Sequence, residues 1–188
     1  MKTRKIVPAI VLVFATICAQ SFAQAPYYQT STTYSLGNNI FLKCDVDPYG
    51  GVTLYNPNSI YTYANQTYAD GTALPEDIAV GDTPACTMTN ASDHDIQNRV
   101  NRVLTTTQKQ RLGDWTLPVS VIVNPQTGKV IEVFFWFIND SPYNQLPPSV
   151  FRQIEQNFLS QPQITDFAVT DTGRQLNYVM FSWSHKFK

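Results

Sequence analysis

The feature that most constrains this chain is a nine-residue run, Val130 to Ile138, that is apolar on both faces a β-strand presents. Ile131, Val133, Phe135 and Phe137 alternate with Phe134, Trp136 and Ile138, and only Glu132 interrupts. Successive strand side chains point to opposite faces, so such a strand needs cover on both sides. Helices can supply one cover. The second has to come from residues 24–91 or from a partner. The run follows Val119, Val121 and Val123, which alternate with Ser120 and Ile122, and a turn made by Asn124-Pro125-Gln126-Thr127-Gly128-Lys129. Two apolar runs around a Gly-containing turn read as a β-hairpin.

The rest of the chain supplies the cover. Ile40, Leu42, Cys44 and Val46 alternate with Lys43, Asp45 and Asp47, the pattern of a half-buried strand. Pro48-Tyr49-Gly50-Gly51 is turn chemistry, and residues 52–55 return as a second strand. Residues 24–38 hold few aliphatic side chains and read as a loose or edge segment; residues 56–91 read as short strands and loops. Ser92 is placed to cap a helix whose first turn holds Asp93 and Asp95. Ile96, Val100, Val103 and Leu104 continue it, Thr105 to Thr107 weaken it, and Gly113 ends the helical stretch. Val150, Phe151, Ile154 and Phe158 share one stripe of a helix over 149–159, entered through Pro147-Pro148. Residues 166–170 are extended, Asp171-Thr172-Gly173 turns, and Leu176 to Phe187 is a last strand with Val179, Phe181, Trp183 and Phe187 on one face. The expected fold is α+β: an antiparallel sheet with two helices on one face over residues 92–188, and a β-rich part over 24–91.

Residues 1–23 have the three parts of an export signal: a basic head (Lys2, Arg4, Lys5), an uncharged stretch from Ile6 to Ala19, and small residues at Ser21 and Ala23. The uncharged stretch is shorter than the roughly 20 residues of a membrane span. The expectation is a cleaved leader, no integral membrane segment after cleavage, and a periplasmic or extracellular protein. With those three basic residues removed, ten remain against fourteen acids, a balance that disfavours nucleic acid as partner. Two cysteines remain, Cys44 and Cys86. An even count in an exported chain predicts one disulfide, closing a 43-residue loop worth about 4 kcal/mol on the chain-entropy model. The alternative is a cysteine nucleophile served by His94.

In residues 92–188 the order helix, strand, turn, strand, helix, strand resembles the C-terminal domain of the TonB family. The resemblance rests on the run from Val119 to Val133 around Gly128, on Leu146-Pro147-Pro148-Ser149-Val150-Phe151 at the second helix, and on the aromatic final strand. It implies a domain that pairs with a partner by strand addition at a sheet edge. TonB transducers keep their N-terminal anchor and carry a Pro-rich spacer, and this chain is expected to lack both. The whole chain also resembles small uncharacterised secreted proteins of anaerobic Gram-negative bacteria, a likeness that brings no activity with it.

Candidate chemistry is sparse. Asp45-Val46-Asp47-Pro48-Tyr49-Gly50 begins like a calcium loop, but Tyr49 stands at the fifth place, which wants an oxygen ligand, and Asn56 at the twelfth, which wants Glu. There are two histidines, His94 and His185, too few for a conventional zinc set. No Gly-x-Ser-x-Gly elbow occurs, and no carboxylate pair stands out for glycoside hydrolysis. No cofactor is expected. The aromatic residues are the best clue. Tyr55, Tyr61, Tyr63 and Tyr68 lie among Asn and Thr, where they either stack on a sugar or anchor a protein partner, or pack on the second face of the Phe134/Trp136 strand. The expectation is a non-catalytic exported binding module of the cell envelope, with an envelope protein or glycan as partner. The alternative is a secreted hydrolase of cell-wall or dietary polymers.

Overall fold

The computed structural model of the chain describes residues 25–75, 85–89, 98–160 and 167–187. The leader and the helix start at Ser92 to Asp95 lie outside these residues. Along the chain run β1 (Thr32–Ser35), β2 (Phe41–Val46), β3 (Gly51–Tyr55), β4 (Cys86–Met88), α1 (Thr106–Leu112), β5 (Thr116–Val123), β6 (Val130–Ile138), a 3-10 turn (Pro142–Gln145), α2 (Pro148–Leu159), β7 (Phe167–Val169), the short α3 (Asp171–Arg174) and β8 (Val179–Lys186). The fold is α+β, as the sequence pattern predicts. Among the described residues no helix is long and apolar enough to cross a membrane.

Six strands form one sheet in the order β1-β2-β3-β6-β5-β8, and β4 pairs with β7 in a second, two-stranded sheet. Every ladder is antiparallel. The two-faced strand β6 sits in the middle. Its register against β3 pairs Val52 with Phe137, Thr53 with Trp136 and Tyr55 with Phe134. The β-rich N-terminal segment and the later hairpin are therefore halves of one sheet.

On the inner face Leu42, Cys44, Val52, Leu54, Val119, Val121, Val133, Phe135 and Phe137 are buried with Phe151, Ile154 and Phe158 of α2. The α2 stripe falls on this side because Val150, Phe151, Ile154 and Phe158 recur at helical spacing. The helical residues 98–101 join the same core through Val100, and Asn157 Nδ2 of α2 donates to the Arg99 carbonyl.

Three local outcomes differ from the sequence expectation. Ile131 is 37% exposed, because the β5/β6 register shifts there: Ile122 faces Glu132 while Val123 faces Val130. Ile131 is the residue a bulge leaves unpaired. Thr105 starts a separate helix: its side chain accepts from Gln108 N while the Gln108 side chain accepts from Thr105 N, a complete capping box. Tyr28, in the segment read as loose, is fully buried. Its ring lies edge-on to Phe137 and Phe151 at 5.6 and 5.7 Å, its hydroxyl donates to the Leu146 carbonyl at 2.8 Å, and its amide donates to Asn144 Oδ1.

The expected Cys44–Cys86 disulfide is not formed; both thiols are free and buried. The Cys44 thiol is turned to the Thr30 carbonyl, 3.9 Å away, and the two cysteines sit on different sheets. Cys44 lies on β2, opposite Leu54 of β3, in the six-stranded sheet. Cys86 lies on β4, opposite Val169 of β7, in the small one. Burial pushes both thiols up to about 11, so they behave as small apolar core residues and as poor nucleophiles.

Candidate functional site

The outer face of the six-stranded sheet carries the even-numbered side of β6: Glu132, Phe134, Trp136 and Ile138. Among the described residues its cover lies at the Glu132 end and over Tyr55. Asn56 ends β3 with a turn, its carbonyl accepting from Ser59 N and its Oδ1 from Asn58 N. This aims the amides of Ile60 and Tyr61 at Glu132. Glu132 Oε1 accepts from Ile60 N at 2.6 Å and Oε2 from Tyr61 N at 3.1 Å. One carboxylate thus satisfies two amides that a loop on an apolar strand would otherwise bury unpaired.

The strap from residue 56 to residue 69 then runs to the start of β8. Tyr178 Oη donates to the Ala64 carbonyl at 2.7 Å, Gln66 Nε2 to the Tyr178 carbonyl at 2.8 Å, and Ala69 N to the Gln175 carbonyl at 2.7 Å. Tyr61 packs on Tyr178 with ring centroids 5.0 Å apart. Tyr68 is half-buried against the core and bridges Leu176.

Beyond the strap the face is open. Trp136 is 46% exposed and Ile138 47% exposed, with Phe134 half-buried between them and the strap. The indole lies over Gly51: a Cβ built there would meet Trp136 Nε1 at 3.2 Å and Asp47 Oδ2 at 2.2 Å. A side chain here would have to displace the Asp47 carboxylate. Asp47 is held by its own turn, Oδ1 accepting from the amides of Tyr49 and Gly51.

Next to Trp136 the strand register sets a polar cluster. Thr53 stands opposite Trp136 and opposite Asp45; Lys43 stands opposite Tyr55. Tyr55 Oη donates to Asp45 Oδ2 at 2.5 Å, Lys43 Nζ lies 3.8 Å from the same oxygen, and Lys43 Nζ sits 5.3 Å from the Tyr55 ring centroid. Tyr63 stands edge-on to Tyr55 at 5.5 Å and remains 63% exposed. Burial, then the hydrogen bond to Asp45, raises the Tyr55 hydroxyl well above the ordinary tyrosine range, so Tyr55 stays a neutral donor. Burial also raises Tyr63, opposed by hydrogen bonding to Thr53. On the far side of Trp136, Ser120 and Ser182 share a hydrogen bond of 2.8 Å, and Ser184 stands opposite Pro118.

Of the residues singled out from sequence, the fold gathers Tyr55, Tyr63, Phe134 and Trp136 on one face. It sends Tyr61 into the strap and Tyr68 to the strap's far end. In the sequence Lys43 and Asp45 read as the outward side of a half-buried strand, and Thr53 as part of the strand that returns from its turn. Only the pairing of β3 with β6 puts them beside Trp136.

The remaining buried polar groups serve the architecture. Glu155 of α2 accepts from Asn56 Nδ2 at 3.2 Å and pairs with Arg152. His185 is 3% exposed, with Nε2 3.3 Å from Asn101 Oδ1. Among the described residues no group of three or more His, Cys, Asp or Glu side chains is placed to hold a metal ion.

Comparison with known proteins gives two findings. A family model described as a domain of unknown function, DUF5043, matches residues 24–183. The crystal structure of a DUF5043 family protein from Bacteroides uniformis ATCC 8492 is similar at a TM-score of 0.74 and 28% identity, over 87% of this chain and 89% of that one. No curated protein matches.

Proposed function

We propose a role for this chain from the premise that it belongs to the DUF5043 family: it is an exported, non-catalytic binding module of the bacterial cell envelope, and its binding surface is the open half of the outer sheet face. One observation carries the reading. Trp136 and Ile138 stand about half exposed in the centre of a six-stranded sheet, beside Lys43, Asp45 and Thr53, while the strap covers the Glu132 end and, through Tyr63, the buried Tyr55. A soluble fold that buries one half of an apolar face and leaves a tryptophan bare in the other has a use for the bare half. The export signal read in residues 1–23 supports the location.

The test uses the full chain with an affinity tag in a Gram-negative envelope preparation. The wild type is expected to retain envelope material that Trp136→Ala loses, with Trp115→Ala as the control at another exposed tryptophan. Equal retention by Trp136→Ala and wild type, or none by either, sinks the proposal. Recovery in the cytoplasmic fraction with residues 1–23 intact would sink the location.

A second reading rests on a different observation. Among the described residues β8 is paired on one side only, by β5, and is an end strand of the sheet. The likeness of residues 92–188 to the TonB C-terminal domain makes that edge a place for strand addition. A partner held there is insensitive to Trp136→Ala, which separates the two readings.

A further inference from the structure

The open face also says what kind of ligand fits it, an inference that rests on the binding reading above. We propose that it takes an uncharged glycan, one sugar ring stacking on the Trp136 indole and its neighbours reaching the hydroxyl and carboxylate groups on either side.

Three observations carry this. The first is area. Across the sheet at the level of Trp136, the row Asp45, Thr53, Trp136, Pro118, Ser184 follows from the register. Four inter-strand gaps make about 19 Å, and the two steps from Phe134 to Ile138 along β6 make about 13 Å. The stretch of sheet around Trp136 is therefore about 250 Å² in projection. It matches a short stretch of oligosaccharide.

The second is charge. Asp45 is paired with Lys43, 3.8 Å away, and Asp47 beside the indole leaves the polar side of the patch with one net negative charge, which disfavours an acidic ligand. The other polar groups in the row are the neutral Thr53 and Ser184 hydroxyls.

The third is the alternation of apolar and polar groups at short range. A pyranose ring presents C–H groups on its face and hydroxyls around its rim. An aromatic platform answers the face, and flanking hydroxyl and carboxylate groups answer the rim. Here the platform lies close over Gly51, where a Cβ would meet the indole Nε1 at 3.2 Å, on the central ladder of the sheet.

The experiment is affinity electrophoresis of the full chain in native gels containing one soluble polysaccharide at a time: an uncharged α-glucan, β-glucan, xylan or mannan, with polygalacturonate as the acidic comparison. Retardation by at least one uncharged polysaccharide is expected. It should weaken at least tenfold in Trp136→Ala and severalfold in Thr53→Val, and stay unchanged in Trp115→Ala. Circular dichroism confirms that each variant is folded. Retardation by polygalacturonate alone, or equal retardation of wild type and Trp136→Ala, overturns the assignment. If no polysaccharide retards the protein while Trp136→Ala still abolishes envelope retention, the glycan assignment falls and the binding reading stands. If both responses are absent, both fall.

Discussion

At the scale of single residues, two positions test the physical account most sharply. His185 lies on β8 with its ring buried against Phe187, 4.9 Å between centroids. Burial lowers it to about 4, against an ordinary value near 6.5. Below the unfolded value the unfolded chain takes up a proton that the folded one refuses. Stability is therefore lost as pH falls from about 6.5 toward about 4, by at most about 3 kcal/mol at 1.36 kcal/mol per unit. His185→Gln can keep a polar group near Asn101 without that titration. Urea midpoints at pH 7 and pH 4.5 should converge in the variant relative to wild type; an unchanged difference refutes the assignment. Gly128 is the second position. Its φ is +66°, and a Cβ there would lie 2.1 Å from the Phe167 carbonyl oxygen of β7. Gly128→Ala is expected to cost about 2 kcal/mol or more, read as a lowered urea midpoint. That glycine was legible in sequence as a turn residue. Its contact with β7 was not, because the contact joins segments far apart in the chain. Tyr28 escaped for the opposite reason: one tyrosine among Gln, Thr and Ser carries no periodic signal, and only the Asn144 and Leu146 partners reveal it as core.

At the scale of elements, local patterns succeeded where one period governed a whole segment, as in the β5–β6 hairpin and α2. They failed where a signal lasted three or four residues. Thr105, read as weakening a helix, caps the next one because Gln108 completes the box. The candidate site was half legible: Trp136 and Phe134 came from strand parity, but their polar neighbours depended on which strands pair, and short-range periodicity does not encode that. The joint between α2 and the strap is the element-scale prediction. Arg152 pairs with Glu155, whose side chain is 2% exposed, and Glu155 also accepts from Asn56 at the root of the strap. Burial raises the Glu155 carboxyl above its ordinary range, against the opposing pull of Arg152. Arg152→Met strands that carboxylate and should cost about 3 kcal/mol at pH 7. The sign is fixed by the raised value: as pH falls the carboxyl takes a proton in the folded state first, so the variant's deficit shrinks. Arg152→Met combined with Glu155→Gln keeps an acceptor for Asn56 and removes the charge, and should recover to within about 1 kcal/mol of wild type. Chemical denaturation of the two variants at pH 7 and pH 5 checks both claims, and a deficit that grows on acidification contradicts them.

At the scale of the whole molecule, the question is what holds the N-terminal segment to the rest. Composition pointed to a covalent staple between Cys44 and Cys86. The sheet makes one unnecessary: β3 pairs with β6 through five register positions, Tyr28 fills the core between Phe137 and Phe151, and Glu132 pins the strap. These contacts join segments about 70 to 120 residues apart, so the cohesion that loop closure would supply comes from packing and from a shared sheet. The two cysteines belong to different sheets and both thiols are free. The consequence is measurable on the purified full chain. Without reductant, iodoacetamide should leave Cys44 and Cys86 unmodified in the native protein. After urea unfolding it should modify both, as read by mass spectrometry of the two peptides. The thermal midpoint should be the same with and without dithiothreitol. A peptide pair cross-linked through Cys44 and Cys86, or a midpoint that falls by several degrees on reduction, would restore the disulfide and overturn this account of how the two halves are joined.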